Sequence, residues 1–516
     1  MYELTSYLAG DWVRGSGSER PIFNPSTEEK LGSVAGGALD MAAAYSFALE
    51  KGVPALASLC FAERGELLKA LSKKLYEHRD ELIDLAIVNG GNTRGDAKFD
   101  IDGATGTLAY YGQLGKSLGD RRFLSDGEGE ALGRSPRFFG QHLFTTRRGL
   151  AVHVNAFNFP AWGMGEKMAC ALLAGVPVLE KAGTPSALLA WRMAEIIVDS
   201  GILPEGCFQF VTGPLGDLFD HLGAMDHVAF TGSAVTGHKI RGHASMLQKQ
   251  VRVNIEADSI NSAVLGPDVE EDSETWDLFV SMVSGEITQK AGQKCTAIRR
   301  IFVPEKIKGA VCEALAERLQ KVKVGDPADD DVRMGPVASQ SQDDEVRSGM
   351  QLLLQHARAV CGGPEPLRDK GYFFAPTLLE AANAKTDLLH SLEVFGPCST
   401  VIPYSGESAE AVSLVNRGGG SLVSSLYSDD KAWSAEMILG ISPWHGRVWI
   451  GSEKVAGKAT PPGAVLPMSV HGGPGRAGGG EELGGLRGLA FYMQRSSLQG
   501  DQGLLAREFG LAKNAD

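Results

Sequence analysis

Residues 176–247, VPVLEKAGTPSALLAWRMAEIIVDSGILPEGCFQFVTGPLGDLFDHLGAMDHVAFTGSAVTGHKIRGHASML, alternate short apolar runs with longer amphipathic ones. The runs at 176–180, 208–211 and 227–230 have the length of strands, and those at 187–200, 215–222 and 234–247 have helical spacing. Strands that alternate with helices in this way are typical of a parallel, doubly wound sheet. The stretch therefore predicts an α/β fold.

The same alternation continues on both sides of this stretch. On the C-terminal side we predict strands at 252–256, 262–265, 300–303, 399–403, 422–427 and 448–451, and helices at 276–287, 306–322, 341–359, 407–416 and 430–439. On the N-terminal side we predict helices at 38–59, 61–88 and 97–118, and short strands at 7–13, 22–23, 141–146 and 150–154. The polar stretch 119–137 predicts a loop, and the glycine-rich stretch 461–488 predicts a mobile loop or a plain connector. Two α/β domains follow from this pattern.

Composition limits the possible partners. A chain of 516 residues is long enough for two or three domains. Its net charge of −13 argues against nucleic acid and anionic membranes as partners. The sequence begins without a signal-peptide pattern and has no run of about 18 apolar residues, so we expect no membrane segment. Seven cysteines at irregular spacing fit a reducing compartment, and we predict a cytoplasmic protein.

One cysteine stands out by its setting. Cys295 lies in TQKAGQKCTA (288–297), after an apolar helical run and close in sequence to Lys290 and Lys294. Nearby positive charge lowers the pKa of a thiol and favours the nucleophilic thiolate, so the two lysines predict a reactive cysteine. The alternative is a small buried hydrophobic residue. None of the cysteines has metal-ligand spacing, so no metal site is predicted.

Other candidate residues lie where predicted strands end. Asn158, in NAFNFP (155–160), could donate a hydrogen bond to an oxyanion or form an Asx turn. Glu256, in VRVNIEAD (251–258), could be a general base or a solvated strand end. Gly232 and Ser233, in FTGS (230–233), could approach a phosphate or form an ordinary tight turn. Lys181 could point at a ribose or phosphate.

Taken together, these residues resemble one family. The order Asn158, Lys181, FTGS, Glu256, Cys295 and EVFGP (393–397) resembles the aldehyde dehydrogenase superfamily over essentially the whole chain. The resemblance implies that Cys295 is the nucleophile and Glu256 the general base. It further implies that Asn158 and the Cys295 N–H form the oxyanion hole, and that Glu393 and Phe395 contact the cofactor.

The resemblance also implies an architecture. Two doubly wound domains with parallel-sheet cores would be joined by a small β oligomerisation element. We predict a dinucleotide-binding domain from 1–121 and 148–257, a catalytic domain from 258–485, and an oligomerisation element from 122–147 and 486–516. Such an element predicts a homodimer or a dimer-based tetramer.

The sequence departs from the family pattern at two places. Ile255-Glu256-Ala257-Asp258 surrounds the base, and Lys181 is followed by alanine. These departures resemble the branch that degrades aromatic compounds as coenzyme A thioesters, which implies a CoA-linked semialdehyde substrate. Arg476 is a candidate for its nucleotide end. The alternatives are another free or CoA-linked semialdehyde, a CoA-acylating dehydrogenase, and a non-catalytic protein on the same fold.

The cofactor prediction rests on Thr184. Many NAD-preferring relatives carry a glutamate three positions after the lysine, which would repel the 2′-phosphate of NADP. Here Thr184 can donate a hydrogen bond to that phosphate and Lys181 supplies a cation. We therefore predict NADP over NAD. The alternative is that Thr184 only caps the following helix.

Overall fold

The computed structural model describes residues 1–509 of the chain. Its strands are β1 (Tyr2–Leu4), β2 (Ser6–Leu8), β3 (Asp11–Val13), β4 (Glu19–Phe23), β5 (Lys30–Ala35), β6 (Phe123–Ala131), β7 (Phe138–Thr146), β8 (Ala151–Val154), β9 (Val178–Lys181), β10 (Phe208–Val211), β11 (His227–Thr231), β12 (Arg252–Glu256), β13 (Asn261–Leu265), β14 (Ile298–Pro304), β15 (Ala357–Cys361), β16 (Thr377–Ala381), β17 (Cys398–Tyr404), β18 (Ser421–Tyr427), β19 (His445–Gly451), β20 (Val470–Gly473), β21 (Gly480–Leu483) and β22 (Met493–Asp501).

The helices are α1 (Met41–Phe47), α2 (Val53–Ser58), α3 (Phe61–Glu77), α4 (Arg79–Gly90), α5 (Arg94–Leu118), α6 (Trp162–Ala174), α7 (Ala187–Ser200), α8 (Leu218–His221), α9 (Ala234–Arg241), α10 (Ala244–Gln248), α11 (Glu274–Thr288), α12 (Lys308–Gln320), α13 (Gln340–Leu353), α14 (Asp387–Ser391), α15 (Ser408–Asn416), α16 (Lys431–Ile441), α17 (Leu486–Tyr492) and α18 (Gln502–Phe509). In the part of the chain that the structure describes, no helix combines the length and the apolar character needed to cross a bilayer.

The stretch that predicted the fold forms the centre of a seven-stranded sheet. Its strand order is β12-β11-β8-β9-β10-β2-β3; the first five strands are parallel to one another, and β2 pairs antiparallel with both β10 and β3. Neighbouring residues along a strand enter different cores: Val178 packs in one and Leu179 in the other. A sheet covered on both faces needs apolar residues at every position, which explains the continuous apolar runs.

A second seven-stranded sheet is built in the same way. Its order is β15-β16-β17-β14-β13-β18-β19, and only the β15–β16 pair is antiparallel. Ile301 and Phe302 again point into two different cores. The predicted α/β class with two parallel-sheet cores is confirmed.

A third, antiparallel sheet joins distant parts of the chain. It has the order β22-β7-β6, and β22 pairs with β7 from Met493↔Thr146 to Asp501↔Phe138. The prediction of a loop over 119–137 was wrong, because β6 occupies the middle of that stretch and pairs with β7 through a bulge. Its polar composition reflects a half-exposed strand. Residues 510–516, the end of the predicted oligomerisation element, lie outside the described residues.

The prediction of a mobile glycine-rich loop over 461–488 was also wrong. Strands β20 and β21 form an antiparallel hairpin there. A Cβ on Gly472 would lie 2.0 Å from the Gly480 carbonyl oxygen, and one on Gly446 of β19 would lie 1.7 Å from the Gly472 carbonyl oxygen. The glycines therefore allow close backbone approach, the other common reason for their use.

Several predicted boundaries also change. The helix predicted over 61–88 is two helices, α3 and α4, separated at His78. The helix predicted over 341–359 ends at Leu353, and β15 follows it. Helix α6 was not predicted, and it carries several residues of the site described next.

Candidate active site

Cys295 sits in a tightly constrained loop. The 3-10 turn Gln289–Gly292 precedes it, with left-handed backbone at Lys290 (φ 54°), Ala291 (φ 52°) and Gly292 (φ 69°). A Cβ at Gly292 would lie 2.2 Å from the Gly396 carbonyl oxygen, so glycine is required. The Asn261 side chain donates to the Cys295 carbonyl at 2.7 Å. The backbone that presents the thiol is therefore fixed from several sides.

Two cavities meet at Cys295. One is an apolar pocket with walls that include Phe99, Phe159, Trp162 and Val465. The other is a larger cleft of about 570 Å³, a size typical of ligand sites. Asn158, Glu256 and Cys295 line both cavities. The structure thus brings the three predicted catalytic residues together where a substrate and a cofactor could meet.

Asn158 is buried and directed at the cysteine loop. One hydrogen of its side-chain NH₂ is donated to the Gln293 carbonyl at 3.0 Å. The second hydrogen remains for a ligand in the cavity, since an amide NH₂ carries two donors. This position suits a donor to an oxyanion that forms next to Cys295.

Glu256 ends strand β12 and is buried. Its Oε2 lies 3.1 Å from His471 Nε2, and within residues 1–509 its Oε1 has no hydrogen-bond partner. Burial alone would raise the pKa of this carboxyl, but His471, Lys167 and the Cys295 thiol outweigh burial and lower it to about 2. Glu256 is therefore an ionised carboxylate beside the thiol.

The predicted effect of the two lysines on Cys295 was wrong. Lys290 Nζ lies 3.7 Å from Asp100, and Lys294 Nζ lies 2.8 Å from Glu286, so both charges are directed at acids. Burial raises the pKa of the Cys295 thiol well above its usual value, and the Glu256 carboxylate raises it further. In the resting site the cysteine is a thiol.

A buried charged network that the sequence analysis missed continues from Glu256. Lys167 Nζ lies 3.1 Å from Glu166 and 3.2 Å from Glu482. The hairpin pairs His471 with Glu482 across β20 and β21, which brings both side chains towards Glu256. Two charged residues in the otherwise apolar run 162–174 were a usable signal, because charges are rarely buried unless paired.

The larger cleft contains Glu393 and Phe395, which were predicted to contact the cofactor. Glu393 Oε2 accepts a hydrogen bond from the Ser259 N–H at 3.2 Å, while Oε1 has no hydrogen-bond partner in the described chain. Burial raises the pKa of Glu393 to about 7, against the opposing effect of Arg299. Phe395 packs edge-on against Phe157, with 6.1 Å between ring centroids.

Gly232 and Ser233 line the same cleft at the start of α9. Ser233 caps the helix by accepting a hydrogen bond from the Thr236 N–H at 3.4 Å. Asp258 accepts a hydrogen bond from the Ala234 N–H at 3.0 Å, so a carboxylate already holds the first amide of the helix.

Arg476 also lines this cleft and donates a hydrogen bond to the Ser391 carbonyl at 2.7 Å. That position favours a contact in the cleft over one with a substrate in the apolar pocket.

Lys181 and Thr184 lie at the end of β9 and the start of the next helical turn. Gly183 and Pro185, the neighbours of Thr184, line the cleft. Burial lowers the pKa of Lys181 to about 8, with a further contribution from Arg20. Helix α7 has no side-chain cap, so the structure gives no support to a capping role for Thr184.

The chain is similar to known proteins in both sequence and fold. The sequence model described as the aldehyde dehydrogenase family matches residues 12–498. The chain is 42% identical over 479 residues to 3,4-dehydroadipyl-CoA semialdehyde dehydrogenase from Aromatoleum evansii, covering 92% of this chain and 93% of the relative. It superposes on PnpE from Pseudomonas sp. WBC-3 with a TM-score of 0.84 and 25% identity, covering 100% and 99% of the two chains. For the NAD+ complex of aldehyde dehydrogenase from Bacillus cereus the TM-score is 0.83 at 23% identity, with 97% of each chain covered.

Proposed function

Because the chain belongs to the aldehyde dehydrogenase family, we propose that it oxidises a CoA-linked semialdehyde to the carboxylic acid with NADP as preferred cofactor. The chain is an NAD(P)-dependent aldehyde dehydrogenase. The observation that carries the proposed chemistry is the position of Cys295, beside Asn158 and Glu256 where the two cavities meet.

The proposed roles follow from the side chains around the thiol. Ionised Cys295 attacks the aldehyde carbon and forms a thiohemiacetal, whose oxyanion accepts hydrogen bonds from Asn158 and the Cys295 N–H. Oxidation leaves a thioester on the sulfur. Glu256, an ionised carboxylate with one unpartnered oxygen, then removes a proton from the water that hydrolyses the thioester.

The size of the cleft supports a nicotinamide dinucleotide as its occupant. The buried Glu393 Oε1 lies 3.9 Å from Arg299 Nε but has no hydrogen-bond partner within residues 1–509, so it is an acceptor suited to a ribose hydroxyl. We propose that Glu393, Phe395, Gly232 and Ser233 hold this end of the cofactor, which supplies the hydride acceptor when bound. Lys181 and Thr184 would contact the 2′-phosphate of NADP.

The substrate proposal rests on the apolar pocket and on the relative from Aromatoleum evansii, which is named as the dehydrogenase of 3,4-dehydroadipyl-CoA semialdehyde. Apolar walls at Phe99, Phe159 and Trp162 suit the carbon chain of a semialdehyde better than a charged end. We propose that this semialdehyde, or a close analogue with the same thioester, is the substrate.

We also propose a homodimer or dimer-based tetramer and the domain division given above. In the sheet β22-β7-β6 both outer strands have a free edge within residues 1–509, and exposed edges are sites of strand pairing between chains. All seven cysteines are free thiols, which supports a reducing compartment such as the cytoplasm. Sedimentation at micromolar concentration tests the assembly.

The deciding experiment compares one semialdehyde as its CoA thioester and as the free acid, with no CoA added. We expect a kcat/KM at least about tenfold higher for the CoA-linked form, a difference of about 1.4 kcal/mol, with carboxylic acid as product. A C295A variant provides the inactive control. Equal kcat/KM for the two forms would contradict the substrate proposal, and a requirement for added CoA would indicate acyl transfer to a thiol instead of hydrolysis.

A further inference from the structure

His471 reaches both the base and the nucleophile with one ring nitrogen. Its Nε2 lies 3.1 Å from Glu256 Oε2 and 3.9 Å from Cys295 Sγ. Reactive atoms of the three side chains all lie within 4.8 Å of one another. His471 and Glu256 are buried, so little water screens their charges.

The carboxylates around Cys295 oppose the formation of a thiolate at its sulfur. A thiolate at Cys295 would form within 4.8 Å of the ionised Glu256. Glu166 and Glu393 add to the negative potential there and, like Glu256, raise the pKa of the thiol. A thiolate in these surroundings requires a positive charge close to the sulfur.

The other cations around the site are engaged elsewhere. Lys167 lies between Glu166 and Glu482. Arg299 donates to backbone carbonyls at Gly292 and Gly396, and Arg447 donates to the Pro462 carbonyl at 2.7 Å. Within residues 1–509, His471 is the only basic side chain at hydrogen-bond distance from Sγ.

The proton on His471 can be assigned from its partner. A carboxylate oxygen only accepts hydrogen bonds, so Nε2 facing Glu256 at 3.1 Å carries the hydrogen. The same nitrogen cannot then accept the thiol proton. Burial alone would lower the pKa of His471, but Glu256 outweighs burial and raises it, which favours the imidazolium. His471 is therefore a hydrogen-bond donor at Nε2, and it does not act as the base for the thiol.

We propose that His471 is a further catalytic residue, whose Nε2–H is donated to Glu256 at rest and to Cys295 Sγ once the thiol ionises. In this step the S–H bond breaks and an O–H bond forms on Glu256 Oε1, the oxygen without a partner. The negative charge moves from the carboxylate to the sulfur, and the imidazolium stays beside it. Glu256, which lines the cleft, releases this proton to solvent before it acts on the hydrolytic water. The proposal rests on Cys295 being the nucleophile proposed above.

A purely structural role for His471 makes a different prediction. If the ring only filled space in the hairpin, His471→Phe would preserve thiol chemistry as long as the protein folded. If the ring stabilises the thiolate, removal of the donor must raise the pH at which Cys295 becomes reactive. His471→Gln separates charge from donor, because its amide nitrogen keeps a neutral N–H near the position of Nε2.

The test is the pH dependence of Cys295 alkylation by iodoacetamide, measured without substrate or cofactor. C295A gives the background from the other cysteines, and thermal unfolding checks the fold of each variant. We expect His471→Phe to raise the midpoint pH by at least about one unit, a tenfold loss of thiolate at a given pH, with His471→Gln in between. If His471→Phe does not fold, His471→Gln alone must still raise the midpoint.

A midpoint unchanged from wild type in the folded variants would overturn the proposal. This readout does not depend on turnover, so it separates the two proposals. Full aldehyde oxidation by C295A would refute the nucleophile itself, whereas an unchanged alkylation midpoint in His471→Phe would refute only the role of the histidine.

Discussion

Lys294 Nζ, in the cysteine loop, lies 2.8 Å from Glu286 Oε2 at the end of α11, and both side chains are buried. Glu286 also accepts a hydrogen bond from the Gly463 N–H at 3.1 Å, and Lys294 donates to Gln289 at 2.7 Å. The pair therefore ties α11, the cysteine loop and the segment before the hairpin together. Its role is to hold the loop and not to supply charge to the thiol.

Glu286→Gln should destabilise the protein strongly. The amide can still accept from Gly463, but the Lys294 charge is left buried without a counter-ion, a loss of about 3–5 kcal/mol. Chemical denaturation measures the change in free energy of unfolding. The double variant Glu286→Gln/Lys294→Met should recover part of the loss, because it removes the uncompensated charge. Equal stability of Glu286→Gln and wild type would contradict the role given to the pair.

Glu256→Gln should separate the two halves of the reaction. Because the amide can take a proton neither from the Cys295 thiol nor from water, we expect a slowed burst of reduced cofactor that still approaches one per active site, and then a steady rate lower by about 10²–10⁴-fold. Stopped-flow absorbance of the reduced nicotinamide measures both phases. The C295A variant should show no burst. Normal steady-state turnover by Glu256→Gln would show that another group activates the water.

The sheets were predictable from the sequence because their strands are apolar on both faces and short glycine turns separate them from helices. Val178 and Leu179 each enter a core, and this double burial is visible as a continuous apolar run. The proximity of Cys295, Glu256 and Asn158 could be expected from the family resemblance, which places Asn158 after β8, Glu256 at the end of β12 and Cys295 after α11.

What could not be predicted depends on contacts between distant segments. His471 and Glu482 lie more than 200 positions from Glu256 in sequence, in a stretch whose glycines indicated flexibility. Only the close approach of Gly472 to Gly480 shows that the stretch is a hairpin. Likewise, the effect of Lys290 and Lys294 could not be judged from proximity in sequence, because Asp100 and Glu286 engage them in the fold.

The proposed contact between Lys181 and the 2′-phosphate predicts that NADP binding depends on pH. In the free protein the pKa of Lys181 is lowered to about 8, so its ammonium loses its proton as the pH rises through this value. A bound phosphate favours the charged form, so NADP binding should weaken above pH 8 by up to about tenfold per pH unit. We expect the ratio of KM for NADP to KM for NAD to rise between pH 7 and 10, as measured by initial rates.

Lys181→Met provides the control for this prediction. Without the titrating group the ratio should be high at every pH and should no longer rise above neutral pH. If the ratio of KM for NADP to KM for NAD still rose with pH in Lys181→Met, a different group would be responsible for binding the phosphate. Arg20 would then be the next candidate, because its charge acts on Lys181.

Thr184→Glu should move the cofactor preference towards NAD. Thr184 lies between two residues that line the cleft, and helix α7 has no side-chain cap, so a ligand there can use the hydroxyl. A carboxylate at this position would repel the 2′-phosphate by about 1–4 kcal/mol at a partly exposed site, so the ratio of kcat/KM for NADP to that for NAD should fall at least about tenfold. Thr184→Gln matches the glutamate in size without its charge, and its smaller shift would isolate the electrostatic part. Wild-type preference for NAD, or an unchanged ratio in Thr184→Glu, would contradict the assignment of Thr184 to the phosphate.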